Sequence, residues 1–481
     1  MLFNSLIFLF VFLPITLLGW YTIKGQSYRL LWITILSLVF YAYWNWMFIG
    51  LLLLSIGIDY YCGLRITRHV NTDNKLAKKW MITSIISNLL ILGFFKYCDF
   101  FIKSVNLLSF LPSEISYLNI ILPVGISFYT FQSMSYSIDL YRGDAKPANS
   151  FLTFSAYVTL FPQMIAGPIV RYKSIAEQIN NISKTINWNL FKKGLFYLAI
   201  GLFRKVIIAD NFAKVADPFF DTFLHFDHAF IISWLGLLSY TFQIYFDFSA
   251  YSEMAIGLGL MLGFKFPVNF NSPYRAVSFS DFWTRWHITL SEFLRDNLYI
   301  PLGGNRNGNI NTYKFLLITM LLGGLWHGAS WMFIIWGLLH GIYLTIERLI
   351  FGKIKKRNFI YSSLVFFFVC ITWIFFRSPN MDTAIGIVKS CFLFNGIESL
   401  VPTYELLSIK CLPTFTSYIP FKHIAAITLG LFTVMIIPNT NVLIERYNVH
   451  NKSIWVPIII VIFIVDVLFC FKNSPFIYFQ F

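Results

Sequence analysis

Charge is what this 481-residue sequence has least of. Only 12% of its residues are Asp, Glu, Lys or Arg, against about 25% in ordinary soluble domains. So few charges cannot cover a chain that is 57% apolar and 20% aromatic. That excludes an ordinary soluble globule, and it excludes disorder. Cysteine is sparse too. The six residues, at 62, 98, 370, 391, 411 and 470, form no CxxC pair. A disulfide scaffold and a redox pair are excluded, and the cysteines read as small apolar residues. No HExxH motif or Cys/His cluster occurs, so no metal site is expected. No internal repeat and no low-complexity linker is visible. What remains is a chain whose solvent is lipid.

Acidic residues are the scarcer sign, 22 against 37 basic, for a net +15. In a soluble protein that excess suggests nucleic acid. Here the basic residues sit in short gaps between apolar runs, which is the positive-inside pattern, and no nucleic-acid partner is expected. One gap carries Arg65, Arg68, Lys75, Lys78 and Lys79. Another carries Lys353, Lys355, Lys356 and Arg357. Both are expected on the cytoplasmic side. The apolar stretch Met1 to Trp20 has no basic residue before it and no small-residue cleavage site, and Lys24 and Arg29 follow it. This reads as an uncleaved anchor with its N-terminus outside.

Further apolar runs lie near 30–45, 47–64, 80–103, 115–138, 151–170, 194–209, 229–246, 251–266, 315–349, 359–376, 422–437 and 454–471. A helix needs about 20 apolar residues to cross a bilayer. The runs predict about ten to twelve spans, with shorter runs re-entrant and 315–349 able to hold two shorter elements. The polar stretch 174–192 reads as a surface connection. The Pro-containing stretch 378–421 has no clear span and is expected at an interface.

Ionisable residues that survive inside apolar runs carry information. Of eight His, those at 69, 225, 228, 423 and 450 lie at loops or run ends and read as solvated or interfacial. His327 lies inside the long run 315–349, in Gly323-Gly-Leu-Trp-His-Gly-Ala-Ser-Trp331. Its small neighbours allow close approach of a backbone or ligand. Burying an imidazole without a role is expensive, so His327 leads the candidates for chemistry. His287 falls in Asp281 to Asp296. There Asp281, Arg285, Glu292 and Arg295 form one stripe, and Phe282, Trp286, Leu290, Phe293 and Leu294 form the other. The pattern predicts one amphipathic helix at an interface or lining a funnel. A headgroup-facing and a catalytic role for His287 both remain open. His340 lies thirteen residues after His327, about 220° and about 20 Å away on one straight helix, so the two cannot share an ion without a break.

Asp247, in Tyr245-Phe-Asp-Phe-Ser249, faces Tyr251 one helical turn on and reads as structural or channel-lining. Arg204, Lys205 and Asp210 read as the end of a span. Tyr299 to Arg306 has the Pro and Gly of a tight loop, and Arg306 is placed to meet an anionic group.

Taken in order, the motifs resemble those of the membrane-bound O-acyltransferases, and within them the bacterial alginate O-acetylase branch. They are Leu122 to Phe128 with Asp139-Leu-Tyr-Arg142, Phe161 to Arg171, Gly201 to Asp210, Tyr245 to Tyr251, Trp286 through Arg306, and Leu325 to Ser330. Trp373 to Arg377, Pro438-Asn-Thr440 and Phe476 to Phe481 complete the set. The resemblance covers essentially the whole chain. It implies an all-α polytopic membrane protein of about eleven transmembrane helices with re-entrant and interfacial pieces. It also implies a single domain over 1–481, with core motifs in 120–350 and C-terminal spans in 359–481.

The resemblance implies acyl transfer at His327, with His287 at the second characteristic position. Trp286, Trp326, Arg285, Asp247 and Arg306 are expected to line the substrate channel. The implied donor is a cytoplasmic acetyl thioester, acetyl-CoA, used as a substrate with no bound cofactor. The implied partners are membrane lipid, a periplasmic hydrolase-like (SGNH) acetyltransferase and a polysaccharide acceptor, at the bacterial inner membrane. Alginate-like exopolysaccharide and peptidoglycan both remain open as acceptor.

A hydroxyl is a poor nucleophile near neutral pH and needs a base within hydrogen-bond reach. Neutral imidazole suits that role. His327 is expected to take the proton, or to carry the acetyl group itself, while His287 orients or polarises the substrate. Two other readings compete: D-alanyl transfer to teichoic acid, and a transporter or flippase using a histidine proton relay. The missing internal repeat counts against the transporter.

Overall fold

The computed structural model describes residues 1–107, 113–183, 185–225, 230–306, 308–352, 354, 358–393, 419–446, 455–469 and 475–477. Lys353, Lys355, Lys356 and Arg357, most of the stretch after Phe392, His228, His450, and the final residues of the C-terminal motif lie outside these. Among the described residues every element is a helix. Among the described residues four helices are long and apolar enough to cross a membrane: Phe48–His69, Asn74–Asn106, Trp331–Phe351 and Phe359–Arg377. A bent pair, Ala425–Ile436 and Thr440–Arg446, meets at 54° and adds a fifth if it is one broken span.

Several apolar runs keep their expected bounds, others are redrawn, and 315–349 holds two elements as its length allows. The runs 229–246 and 251–266 are not two spans. Residues Phe230–Met261 form one helix of 32 residues. Asp247, Ser249, Ser252 and Glu253, which divide the runs in sequence, are buried within it. Polar side chains do not break a helix when their partners lie on neighbouring elements. Conversely, 315–349 holds two helices, Gly308–His327 and Trp331–Phe351, separated by Gly328-Ala329-Ser330. The Ser330 hydroxyl accepts the Met332 N–H and caps the second helix.

The chain divides into two compact units, each assembled from separate stretches. One comprises Met1–Phe203, Ala250–Val268 and Leu443–Phe481. Within it, Trp188–Phe203 lies close against the end of the 32-residue helix because glycines face each other. A Cβ on Gly194 would stand 2.5 Å from the Gly257 carbonyl oxygen. Small residues permit this approach where lipid supplies no hydrophobic drive between helices. The same unit is tied by a buried polar cluster. Asp59 accepts from Ser84 Oγ at 2.6 Å and from Asn88 Nδ2 at 2.7 Å, and Ser84 also bonds Ser137 at 2.7 Å. Three helices are thereby joined by hydrogen bonds that water cannot compete for.

The other unit comprises Arg204–Ser249 and Asn269–Val442. Its central feature is the hairpin of Gly308–His327 against Trp331–Phe351. Gly324 and Gly337 lie at the crossing: a Cβ on Gly324 would sit 2.2 Å from the Phe333 carbonyl oxygen, and one on Gly337 2.3 Å from that of Met320. Only glycines allow the two backbones this close, and their closeness carries His327 to the bend of the hairpin.

Candidate active site

All of the sequence-derived site residues fall in the second unit. His327 is the last residue of its helix, and the turn that follows folds the next helix back beside it. Its imidazole is 4% exposed. Trp336 meets it nearly edge-on with centroids 5.1 Å apart, Phe376 lies at 5.4 Å and Trp326 at 5.0 Å. Such perpendicular aromatic contacts fix a ring's plane.

His287 reaches the same place from forty residues earlier. The single amphipathic helix expected over 281–296 is broken there. It becomes a short helix Phe279–Trp283, a turn, a second helix Ile288–Leu294 and a π-helical turn Arg295–Tyr299. His287 occupies the break with φ 43° and ψ 54°, a left-handed conformation. For a residue with a side chain that costs on the order of 1–2 kcal/mol, so neighbouring contacts must hold it.

Asn269 supplies them. Its backbone carbonyl accepts the Ile288 N–H at 2.9 Å. Its side-chain Oδ1 accepts the Thr289 N–H at 3.2 Å and the Thr289 hydroxyl at 2.9 Å. The Phe279–Trp283 helix ahead of the break is also anchored. Buried Glu347 accepts the N–H groups of Phe279 at 2.6 Å and Ser280 at 3.1 Å, and the Tyr361 hydroxyl at 2.8 Å. Neither Asn269 nor Glu347 is marked by spacing or composition. Both lie far in sequence from what they hold.

The Asn269 contact settles which nitrogen of His287 bears hydrogen. His287 Nδ1 lies 3.2 Å from Asn269 Oδ1. A backbone N–H can only donate, so the Asn269 atom facing Thr289 N–H is the oxygen. That oxygen can only accept, so Nδ1 must donate to it and carries the hydrogen. The Nε2 lone pair is then the basic one. His287 is fully buried and lies outside the four span-length helices. Burial pushes its imidazole down to about 3, which keeps it neutral.

The two histidines therefore meet. Their ring centroids are 6.2 Å apart, with Trp326 6.0 Å from His287 and 5.0 Å from His327. Trp286 is buried against Trp373 at 4.9 Å and Phe270 at 5.1 Å, and belongs to the aromatic wall behind them. Arg285 does not join the cluster. It is partly exposed and pairs with Asp281 at 2.9 Å. Arg306 is exposed on the turn after Gly303-Gly304.

Asp247 is held by a cation from another element. Lys205 Nζ bonds its carboxylate and also pairs with Asp210 at 2.9 Å. Arg204 and Lys205 are buried in a π-helical turn, Arg204–Ala209, and do not mark a solvated span end. The buried carboxylate is what makes the buried lysine tolerable. The pair spans 42 residues, so no local pattern announces it.

His340 is separated from His327 by the break that a single helix would lack. Trp336 stands between them, at 5.1 Å from His327 and 4.9 Å from His340. Thr372 Oγ1 donates to the Val369 carbonyl, so His340 Nε2 donates to Thr372 Oγ1 at 3.0 Å. Among the described residues no group of three or more His, Cys, Asp or Glu is placed to hold a metal ion.

A buried pair of imidazoles, one with its tautomer fixed and both walled by aromatic rings, is suited to moving a proton where water is excluded. Comparison with known proteins shows the family to which the chain belongs. Residues 148–378, which contain both histidines, match the model of the membrane-bound O-acyltransferase family. The chain is 41% identical to a peptidoglycan O-acetyltransferase of Helicobacter pylori over 83% of its own length and 81% of the relative's. It is 38% identical to a probable alginate O-acetylase of Pseudomonas putida over the whole of both chains. It is 44% identical to one of Pseudomonas aeruginosa over 82% of this chain and 75% of the relative. Motifs, buried histidines and relatives at this identity together make the chain a member of the membrane-bound O-acyltransferase family.

Proposed function

We propose that this membrane enzyme transfers acetyl groups from a cytoplasmic acetyl thioester, acetyl-CoA, to hydroxyls destined for a cell-envelope or exported polysaccharide. The observation that carries this reading is the meeting of His287 and His327, 6.2 Å between centroids, in an enclosed aromatic setting. The relatives named for peptidoglycan and for alginate favour those two acceptor classes. The shorter apolar helices combine with the span-length ones into about eleven crossings of the bacterial inner membrane. A separate hydrolase-like acetyltransferase receives the acetyl group on the periplasmic side.

The step is an acyl transfer. His327 accepts the proton of the attacking hydroxyl as its oxygen bonds the thioester carbonyl carbon. The tetrahedral centre collapses, the carbon–sulfur bond breaks, and the proton passes to the departing thiolate. The products are an acetyl ester and a free thiol. His287 holds the reacting group through Nε2, because Nδ1 is committed to Asn269. No metal or bound cofactor takes part in this scheme.

The test is label transfer from [14C]acetyl-CoA in membranes, with transport of the labelled compound measured beside it. The wild-type chain should place acid-stable, base-labile label on a hydroxyl acceptor. His327→Ala should abolish this at normal insertion, and His287→Ala should lower it by about 10²-fold or more. Full transfer by His327→Ala, or transport without acyl transfer, would overturn the reading.

A further inference from the structure

The first unit contains a cavity of about 190 Å³ that plays no part in the scheme above. Its polar wall is Arg29 with Asn181, Ser183 and Thr185, and its apolar wall includes Leu260 and Phe264. Arg29 is in the first turn of the Gln26–Asn45 helix and is only 5% exposed. Its guanidinium lies over the Trp20 ring at 4.4 Å and donates from Nη1 to the Ser183 carbonyl at 2.6 Å. Its Nε has no hydrogen-bond partner. Among the described residues its one ionisable electrostatic neighbour is Tyr21, whose hydroxyl is committed to the Met261 carbonyl.

A buried guanidinium without a carboxylate is unusual. Buried charges are normally paired, because removing a cation from water is repaid only by an opposite charge in good geometry. Lys205, which is also deeply buried, is paired with two carboxylates. At Arg29 it offers an aromatic face, one carbonyl and an open cavity. The planar guanidinium matches a tetrahedral oxyanion with two parallel donors. Asn181 and Thr185 can donate to further oxygens of the same group, while the Ser183 hydroxyl is committed to the Thr185 carbonyl. Arg29 also stands where the apolar run of its helix begins, and a basic residue at the end of such a run is suited to an anionic headgroup. The leucine and phenylalanine wall suits the glycerol and acyl carbons attached to such a group.

We propose that this cavity binds a phosphate group, with Arg29 as the charge partner and the phosphodiester of an anionic membrane lipid as the favoured source. The full-length protein, purified in neutral detergent, is heated in two titrations. One adds inorganic phosphate. The other adds phosphatidylglycerol in mixed micelles, with diacylglycerol at equal concentration as the uncharged control. The wild-type Tm rises in at least one titration and not with diacylglycerol. A rise with phosphatidylglycerol alone assigns the lipid headgroup, and a rise with both assigns any accessible phosphate.

Arg29→Gln weakens the apparent affinity at least tenfold. Asn181→Asp supplies a carboxylate from the chain itself. It raises the ligand-free Tm and removes the response, and it tests the idea even where Arg29→Gln fails to fold. No rise in either titration for the wild type, or an equal rise in wild type and Asn181→Asp, overturns the proposal.

Discussion

Replacing Asn269 tests the architecture of the site without touching either histidine. Asn269→Ala removes the oxygen that faces three donors: His287 Nδ1 at 3.2 Å, Thr289 N at 3.2 Å and the Thr289 hydroxyl at 2.9 Å. The hydroxyl can turn to another acceptor, but the imidazole and the backbone N–H cannot. Leaving a buried donor unmatched costs about 1–3 kcal/mol each, so the loss in stability should be about 3 kcal/mol. The backbone bond from Ile288 to Asn269 survives, so the left-handed turn at His287 persists and the protein folds. What is lost is the tautomer. With Nδ1 released, the hydrogen can sit on either nitrogen, and the ring can rotate. Transfer should fall by about 10²-fold, mostly in kcat, because orientation of a catalytic imidazole is worth that much.

Asn269→Asp separates orientation from packing. A carboxylate oxygen still accepts all three bonds, so much of the stability returns. It also favours the imidazolium, and so raises the His287 pKa from its buried position near 3. The Nε2 lone pair that holds the reacting group is then protonated already at a higher pH, and the acidic limb of the rate profile should move upward. The assay is label transfer from acetyl-CoA across a pH series, with thermal unfolding in detergent alongside. Asn269→Ala within twofold of wild type in rate, at unchanged stability, would refute the argument.

Gly324→Ala drives a methyl to within 2.2 Å of the Phe333 carbonyl oxygen. The hairpin must open, at a cost of about 3 kcal/mol or more, and transfer should fall with it, as detergent melting and label transfer would show. Lys205→Met leaves Asp247 buried without its main cation and should cost about 3–5 kcal/mol. Adding Asp247→Leu should recover much of that in the same melting assay. Glu347→Leu strands the Phe279 and Ser280 N–H groups, so stability should drop by about 3 kcal/mol. Arg285→Ala, by contrast, breaks a partly exposed i,i+4 pair and should change the melt by no more than about 1 kcal/mol.

The sequence made some of this plain and hid the rest for physical reasons. His327 stands out because an imidazole among small and apolar residues has no statistical excuse in a bilayer, and the Gly-Gly before it anticipates close helix packing. The hairpin was also foreseeable, since 35 residues of apolar run exceed one crossing and Gly328 to Ser330 interrupt them. The break at His287 was not. Its flanks have good amphipathic spacing, and the bonds that override it come from Asn269 and Glu347, across 18 and 68 residues. The 32-residue helix looks like two runs in the sequence for the opposite reason. Buried Asp247 and Glu253 look like a boundary until Lys205, 42 residues off, is seen to answer the aspartate. Hydropathy reports what each residue prefers alone, and these are residues whose state is set by distant partners.

Acyl transfer that depends on His327 should leave acetyl esters on an envelope polysaccharide. The most direct measurement is the acetyl ester content of isolated peptidoglycan and of isolated exopolysaccharide from a deletion strain. The strain is complemented with wild type, His327→Ala or empty vector, each at matched membrane levels. Wild type should restore base-labile acetate on one polymer, and His327→Ala should match the empty vector. Restoration by His327→Ala, or no change in acetate on any envelope polymer with wild type, would contradict the account.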